Sequence, residues 1–163
     1  MCRAHGLPQY GEELAPARGE HGVVGSGQTR ARTADILAVR RGLDIVAARL
    51  AGMTRTDDDL GALGEAMQRR EAAGRAGDLD AFTDADVDFH LRIAEASHNP
   101  LLSDLYRNMS DALWETVKAN QCMVDAGDDP FHTALFEAVR AADPVAATAA
   151  ALAILDDYPE AGA

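Results

Sequence analysis

The sequence predicts an all-α protein, an antiparallel bundle of about six helices with a central ligand or metal cavity. From Asp35 onward apolar residues recur at intervals of three and four, and no stretch reads as a pair of strands. Ala, Leu, Asp and Arg abound while aromatic residues make up 5%, a balance that favours packed helices over sheet. With 163 residues and 47% of them hydrophobic, the chain has the size and apolar content of one domain with a real core.

Residues 1–33 hold Pro8, Pro16, several glycines and scattered charge without sustained periodicity, and are expected to form a tail with little structure. His5 and His21 fall in it as solvated residues. The folded unit is expected over 34–157, with 158–163 as a short C-terminal tail. Ile36, Val39, Leu43, Val46 and Leu50 describe one apolar stripe on a first helix that ends near Gly52. Thr56 before Asp57, Asp58 and Asp59 supplies a hydroxyl cap and acidic residues for the start of a second, continued by Leu60, Leu63 and Met67. Asp78 caps a third, whose buried stripe is Phe82, Ala85, Phe89, Ile93 and Ala96, with Asp84 and Asp88 facing outward. Asn99 and Pro100 mark a break and a new start. Leu102, Leu105, Met109, Leu113 and Val117 then give the fourth stripe, with Trp114 beside it. Asn120 to Pro130 is expected to be a loop. His132, Leu135, Phe136 and Val139 make a fifth helix, and Asp143 with Pro144 opens a sixth through Leu155.

Charge and cysteine content narrow the function. Fifteen basic against 27 acidic residues give a net charge of −12, which repels phosphate, so no nucleic acid is expected to bind this chain alone. Cys2 and Cys122 cannot build a disulfide framework or a paired-cysteine metal site, which suits a reducing cytoplasm. No apolar run approaches the roughly 18 residues of a membrane span, and no membrane partner is expected.

The residues that can carry chemistry lie between Asp84 and Pro100. Asp86 and His90 stand four apart, which on a helix places both side chains on one face, one turn above the other. They sit at the margin of the apolar stripe and can chelate one cation from there, with His132 as a third ligand from another element. The plainer alternative is an exposed helix pair worth a few tenths of a kcal/mol. For His132 it is a partly buried imidazole bonded to a backbone carbonyl, and for Arg40 a surface cation paired with Asp44. His98 fits a turn, and Trp114 the core or a cavity wall.

In order along the chain, AVRRGLDIVAARLAG, the element Asp86, Phe89 and His90, the turn ASHNPLL and HTALFEAVRAADPVAA resemble the FadR C-terminal (FCD) ligand-binding domain of GntR-family transcription regulators, over about Asp35 to Leu155. The resemblance implies an all-α bundle in which many members hold a divalent metal through one Asp and three His. It carries over to Asp86, His90 and His132. Counting along the match puts Ile154 where the last histidine falls, so three of four ligands are kept and the metal is expected to bind more weakly. Zinc, nickel, manganese or iron would suit the mixed donors. Arg40 matches an arginine that faces the cavity and can meet an anionic effector, and Trp114 is taken as a second effector contact. The winged helix-turn-helix that precedes such domains needs roughly twice the 33 residues available here.

The leading expectation is therefore a sensor of a small carboxylate effector, metal-assisted, without its own DNA-binding module. A homodimer is compatible with it. A small metal-dependent enzyme is the alternative, since three protein ligands with an open position is also the arrangement of catalytic zinc. A degenerate interaction module is the third reading.

Overall fold

The computed structural model describes residues 26–120 and 129–156, with side chains from Thr33 to Ala119 and from Asp129 onward. The segment 1–25, the heart of the expected loop and the expected C-terminal tail lie outside the described residues. Six helices follow in order: α1 Ser26–Thr54, α2 Asp57–Ala76, α3 Leu79–Ala96, α4 Pro100–Asn120, α5 Pro130–Arg140 and α6 Pro144–Asp156. There is no strand among the described residues, and none of their helices is long and apolar enough to cross a membrane. The helix α1 begins at Ser26, ahead of Asp35 where apolar periodicity sets in, because residues without an apolar stripe can still extend a helix already nucleated downstream.

The boundaries follow from local chemistry. Thr56 caps α2 in a reciprocal capping box with Asp59, and Asp59 also meets His98 Nε2 at 2.9 Å, tying the α3–α4 turn to the start of α2. Gly77 ends α2 in the left-handed region at φ 68°, a conformation that glycine adopts without penalty. Asp78 caps α3 by accepting from the Ala81 amide. Pro100 and Pro144 open α4 and α6 at the first helical position, where a missing amide hydrogen costs nothing.

The helices pack as an antiparallel bundle in which α2 and α4 flank α3, and α6 lies against both α1 and α5. At Gly52 an added Cβ would stand 2.9 Å from Pro144 Cα, so the glycine sets the spacing of α1 and α6. Phe82, Ala85, Phe89, Ile93 and Ala96 are all buried, so the α3 stripe is the one expected.

The expected stripe of α1 is only partly turned to the core, against which Ile36 and Leu43 pack half-buried. Val39 and Val46 are 53% and 47% exposed, and the side buried in the bundle carries Arg40, Asp44, Ala47, Ala48 and Ala51. Alanines allow α1 to approach its neighbours closely, and the two charged residues are buried because they pair with each other and with α3. On α4, Leu105 is exposed and Tyr106 fully buried. The inward line there passes one residue further along than a leucine count suggests, since a helix of 3.6 residues per turn drifts from any fixed spacing.

Candidate metal and effector site

Asp86 and His90 are not marginal but almost wholly enclosed, at 2% and 3% exposure, on the face of α3 that looks into the bundle. His132 reaches them from α5. Asp129 caps that helix by accepting from the Phe131 and His132 amides, and Pro130 follows in the first turn, so the local sequence fixes where the His132 ring enters. The two imidazoles meet Nε2 to Nε2 at 3.2 Å, and His132 Nε2 lies 3.2 Å from Asp86 Oδ1. One ligand atom from each of the three residues falls within 4.8 Å of the others. Two nitrogens bound tetrahedrally to one zinc ion would be about 3.3 Å apart, so the imidazole pair already has the spacing of a metal chelate.

The outward nitrogens support this reading. His90 Nδ1 faces Asp44 Oδ1 at 3.6 Å, and His132 Nδ1 lies 2.8 Å from Asp129 Oδ2, a hydrogen-bond distance although the N–H direction is not well aligned. A carboxylate behind each ring is the arrangement that turns the other nitrogen toward a metal. Asp86 Oδ2 is buried and has no hydrogen-bond partner, leaving an acceptor lone pair at the cluster. Phe89 stands 5.5 Å from both imidazole centroids and supplies an apolar wall. These residues fit a divalent ion bound through Asp86, His90 and His132.

Two buried arginines complete the surroundings. Arg70 donates from Nε to Asp86 Oδ1 and from Nη2 to Asp129 Oδ2, both at 2.7 Å, and so bridges α3 to the cap of α5. Arg40 donates from Nε to Asp44 Oδ2 at 3.1 Å, with Nη2 3.9 Å from Asp86 Oδ2. Three carboxylates against two guanidinium groups leave the cluster one negative charge in excess when both imidazoles are neutral, which favours a cation.

The titration of these groups follows from that balance. Burial works against the Asp86 carboxylate, but His132, then Arg70 and His90, overcome it and hold the group well below the usual carboxylate range. Burial disfavours the His90 cation, and Arg40 adds to this, so His90 is pushed down toward the neutral ring that a metal requires. For His132 burial is outweighed by Asp86 and Asp129, which raise it.

Arg40, Asp86, His90 and His132 are thus brought together. Trp114 is not: its Nε1 donates to the exposed Asp84 at 2.7 Å and its ring carries Lys118 Nζ 4.4 Å from the centroid, on the outer side of α3 and α4. An indole beside a leucine stripe was free to turn either way, and a surface carboxylate one helix over captured it. Ile154 is buried on α6 in the same apolar core as Phe89 and offers no donor atom. Arg70 and Asp129 escaped the sequence reading. Arg70 falls three residues after Met67 on the inward line of α2, and Asp129–Pro130 is a helix-start signal three residues before His132, so each had a signal in its spacing.

Comparison with known proteins agrees with this architecture. The FCD domain family model matches residues 35–157. The galactonate operon transcriptional repressor of Escherichia coli K12 is 32% identical over 121 residues, covering 72% of this chain and 52% of that protein. A putative L-lactate dehydrogenase operon regulatory protein of the same strain is 34% identical over 127 residues, covering 74% and 48%. LutR of Bacillus subtilis strain 168, an HTH-type transcriptional regulator, is 38% identical over 86 residues, covering 51% and 37%. The chain thus spans about half the length or less of these relatives. Among solved structures, a GntR protein of Streptococcus agalactiae aligns with a TM-score of 0.64 at 25% identity, over 82% of this chain and 60% of that one. The family match over most of the described helices, on a bundle of the same architecture, makes this chain a member of the FCD domain family.

Proposed function

We propose that this domain is the effector-sensing part of a GntR-type transcription regulator, binding a small organic acid at a divalent metal held by Asp86, His90 and His132. The observation that carries the reading is the buried pair of imidazoles, each with a carboxylate behind it, whose other nitrogens meet each other, that of His132 also beside Asp86. Some FCD domains bind metals, which supports the same reading. A bound divalent ion supplies a Lewis acid to which an effector carboxylate can coordinate. It would also change the cluster from one negative charge in excess to one positive, which suits a singly charged acid. Arg40 stands beside the cluster as a second attraction for that anion. Zinc, nickel, manganese and iron all accept imidazole with carboxylate, and the missing fourth ligand at Ile154 weakens the site and leaves room for the effector.

Sensing fits the surroundings of the cluster: among the described residues, the two carboxylates behind the imidazoles are held by guanidinium groups, Asp44 by Arg40 and Asp129 by Arg70. With its charge of −12 this chain does not bind duplex DNA by itself, and it works in the cytoplasm beside the promoter-binding half of the regulator.

Chelator-treated protein titrated with zinc or nickel, and then with L-lactate and D-galactonate, tests this by calorimetry and thermal shift. Metal should raise the melting midpoint, and one of the acids should bind only the metal-loaded form. A His90→Ala, His132→Ala double variant that still binds metal as tightly as the parent would overturn the site assignment.

A further inference from the structure

Arg70 is buried on α2, and its guanidinium reaches two other helices at once. Nε donates to Asp86 Oδ1 and Nη2 to Asp129 Oδ2, both at 2.7 Å, while the Phe82 ring lies 4.4 Å from Cζ and backs the group from one face. Asp86 is one of the three candidate metal donors, and Asp129 stands behind another, with its Oδ2 2.8 Å from His132 Nδ1. The other oxygen, Oδ1, accepts from the Phe131 and His132 amides. One side chain is therefore hydrogen-bonded to a donor residue directly and to the residue that orients a second. We infer that Arg70 is a positioning residue for the metal site. It fixes the rotation of the Asp86 carboxylate, and through Asp129 the ring of His132, before an ion arrives.

A role through charge alone would have the opposite sign. Guanidinium is charged at any ordinary pH, and a cation hydrogen-bonded to a ligand carboxylate repels a divalent ion. An arginine here weakens a metal site unless its geometry compensates, and two features supply that geometry. The planar fork presents donors in fixed directions, so Asp86 and Asp129 are held relative to each other as well as to α2. Nε occupies Asp86 Oδ1, while Oδ2 accepts no hydrogen bond among the described residues and keeps its lone pairs for an ion. With Ile154 offering no donor atom, the ion depends on three side chains, and a misplaced one leaves two.

This role rests on the metal site proposed above, so zinc binding by the chelator-treated parent chain is measured first, by calorimetry. No binding there overturns the site itself and this role with it. Arg70→Lys then separates position from charge, because it keeps the positive charge but replaces the rigid fork by one ammonium group on a flexible stem. Titrated at a temperature where circular dichroism shows it folded, the variant should bind zinc about ten- to hundredfold more weakly, the usual loss for a residue behind metal ligands. A merely structural role would lower the melting midpoint and leave the affinity of the folded protein unchanged. Where the parent binds zinc, equal affinity in Arg70→Lys overturns the positioning role alone, and so does tighter binding, the result expected of a residue that only competes for Asp86. Should Arg70→Lys fail to fold, Asp129→Asn decides. Asparagine keeps the helix cap but gives up the carboxylate that Arg70 and His132 share, and zinc affinity equal to the parent's overturns the role.

Discussion

At the scale of single residues the bundle is held by charges in places where charge is costly. Arg70 is 4% exposed and is the link between Asp86 on α3 and Asp129 at the start of α5. Replacing it by methionine removes the guanidinium that bridges the two carboxylates, and breaking buried pairs in this way costs about 3–5 kcal/mol. Urea unfolding of metal-free Arg70→Met should show a loss in that range, and a loss below about 1 kcal/mol would mean that water already reaches the pair. Ile154 allows the opposite experiment. Ile154→His should add an imidazole to the three donors. A hundredfold gain in metal affinity would then appear at saturating zinc or nickel as about 2.7 kcal/mol of extra stability. The apo variant should be less stable than the parent, since a polar ring replaces a buried apolar side chain. Equal metal-induced shifts in parent and variant would show that position 154 does not face the cluster.

At the scale of elements, contacts that no periodicity announces fix how helices begin and how closely they lie. Thr56 and Asp59 exchange hydrogen bonds at the start of α2, and His98 joins them from another helix junction. Thr56→Ala should cost about 1 kcal/mol in thermal unfolding, the usual magnitude for a lost helix cap. Gly52→Ala should cost more than a helix-propensity scale allows. That scale favours alanine, but the new methyl would meet the Pro144 backbone at 2.9 Å and must push α6 away from α1. A loss of about 1–3 kcal/mol is expected, and a stabilised variant would show that the two helices separate freely. The stripes were legible to the extent that burial follows apolarity. The α3 stripe did so completely, whereas α1 buries alanines and an arginine–aspartate pair and turns its valines outward, a choice that depends on neighbouring helices rather than on its own pattern.

At the scale of the whole molecule the enclosed carboxylates make stability depend on pH. Burial raises the pKa of Asp44 and of Asp129, but His90 and Arg40 outweigh it at the first, and His132 and Arg70 at the second, so both are lowered in the fold. A depressed carboxylate contributes stability that is fully present above its unfolded value, here 3.8, and is lost as the pH falls through the folded one. The stability that these two carboxylates contribute to chelator-treated protein should therefore persist down to about pH 5 and be lost progressively below pH 4. Urea midpoints that did not fall across that range would show that these carboxylates titrate alike in both states.

What the sequence determined by itself is the class of fold, the number and order of helices, and the residues on the inner face of α3. Helix periodicity, caps and prolines act within a few residues of one another, and Asp86 and His90 share a face because they are one turn apart. The convergence of His132 with them was implied by family resemblance, not by spacing. Tertiary structure alone decided that Arg70 and Asp129 would close the cluster, that Trp114 would turn to Asp84 at the surface, and that Val39, Val46 and Met53 of α1 would be left outside. A buried charge is stable only where an opposite charge arrives from another helix, and a helix shows its apolar stripe to solvent when its neighbours fit better against its alanines.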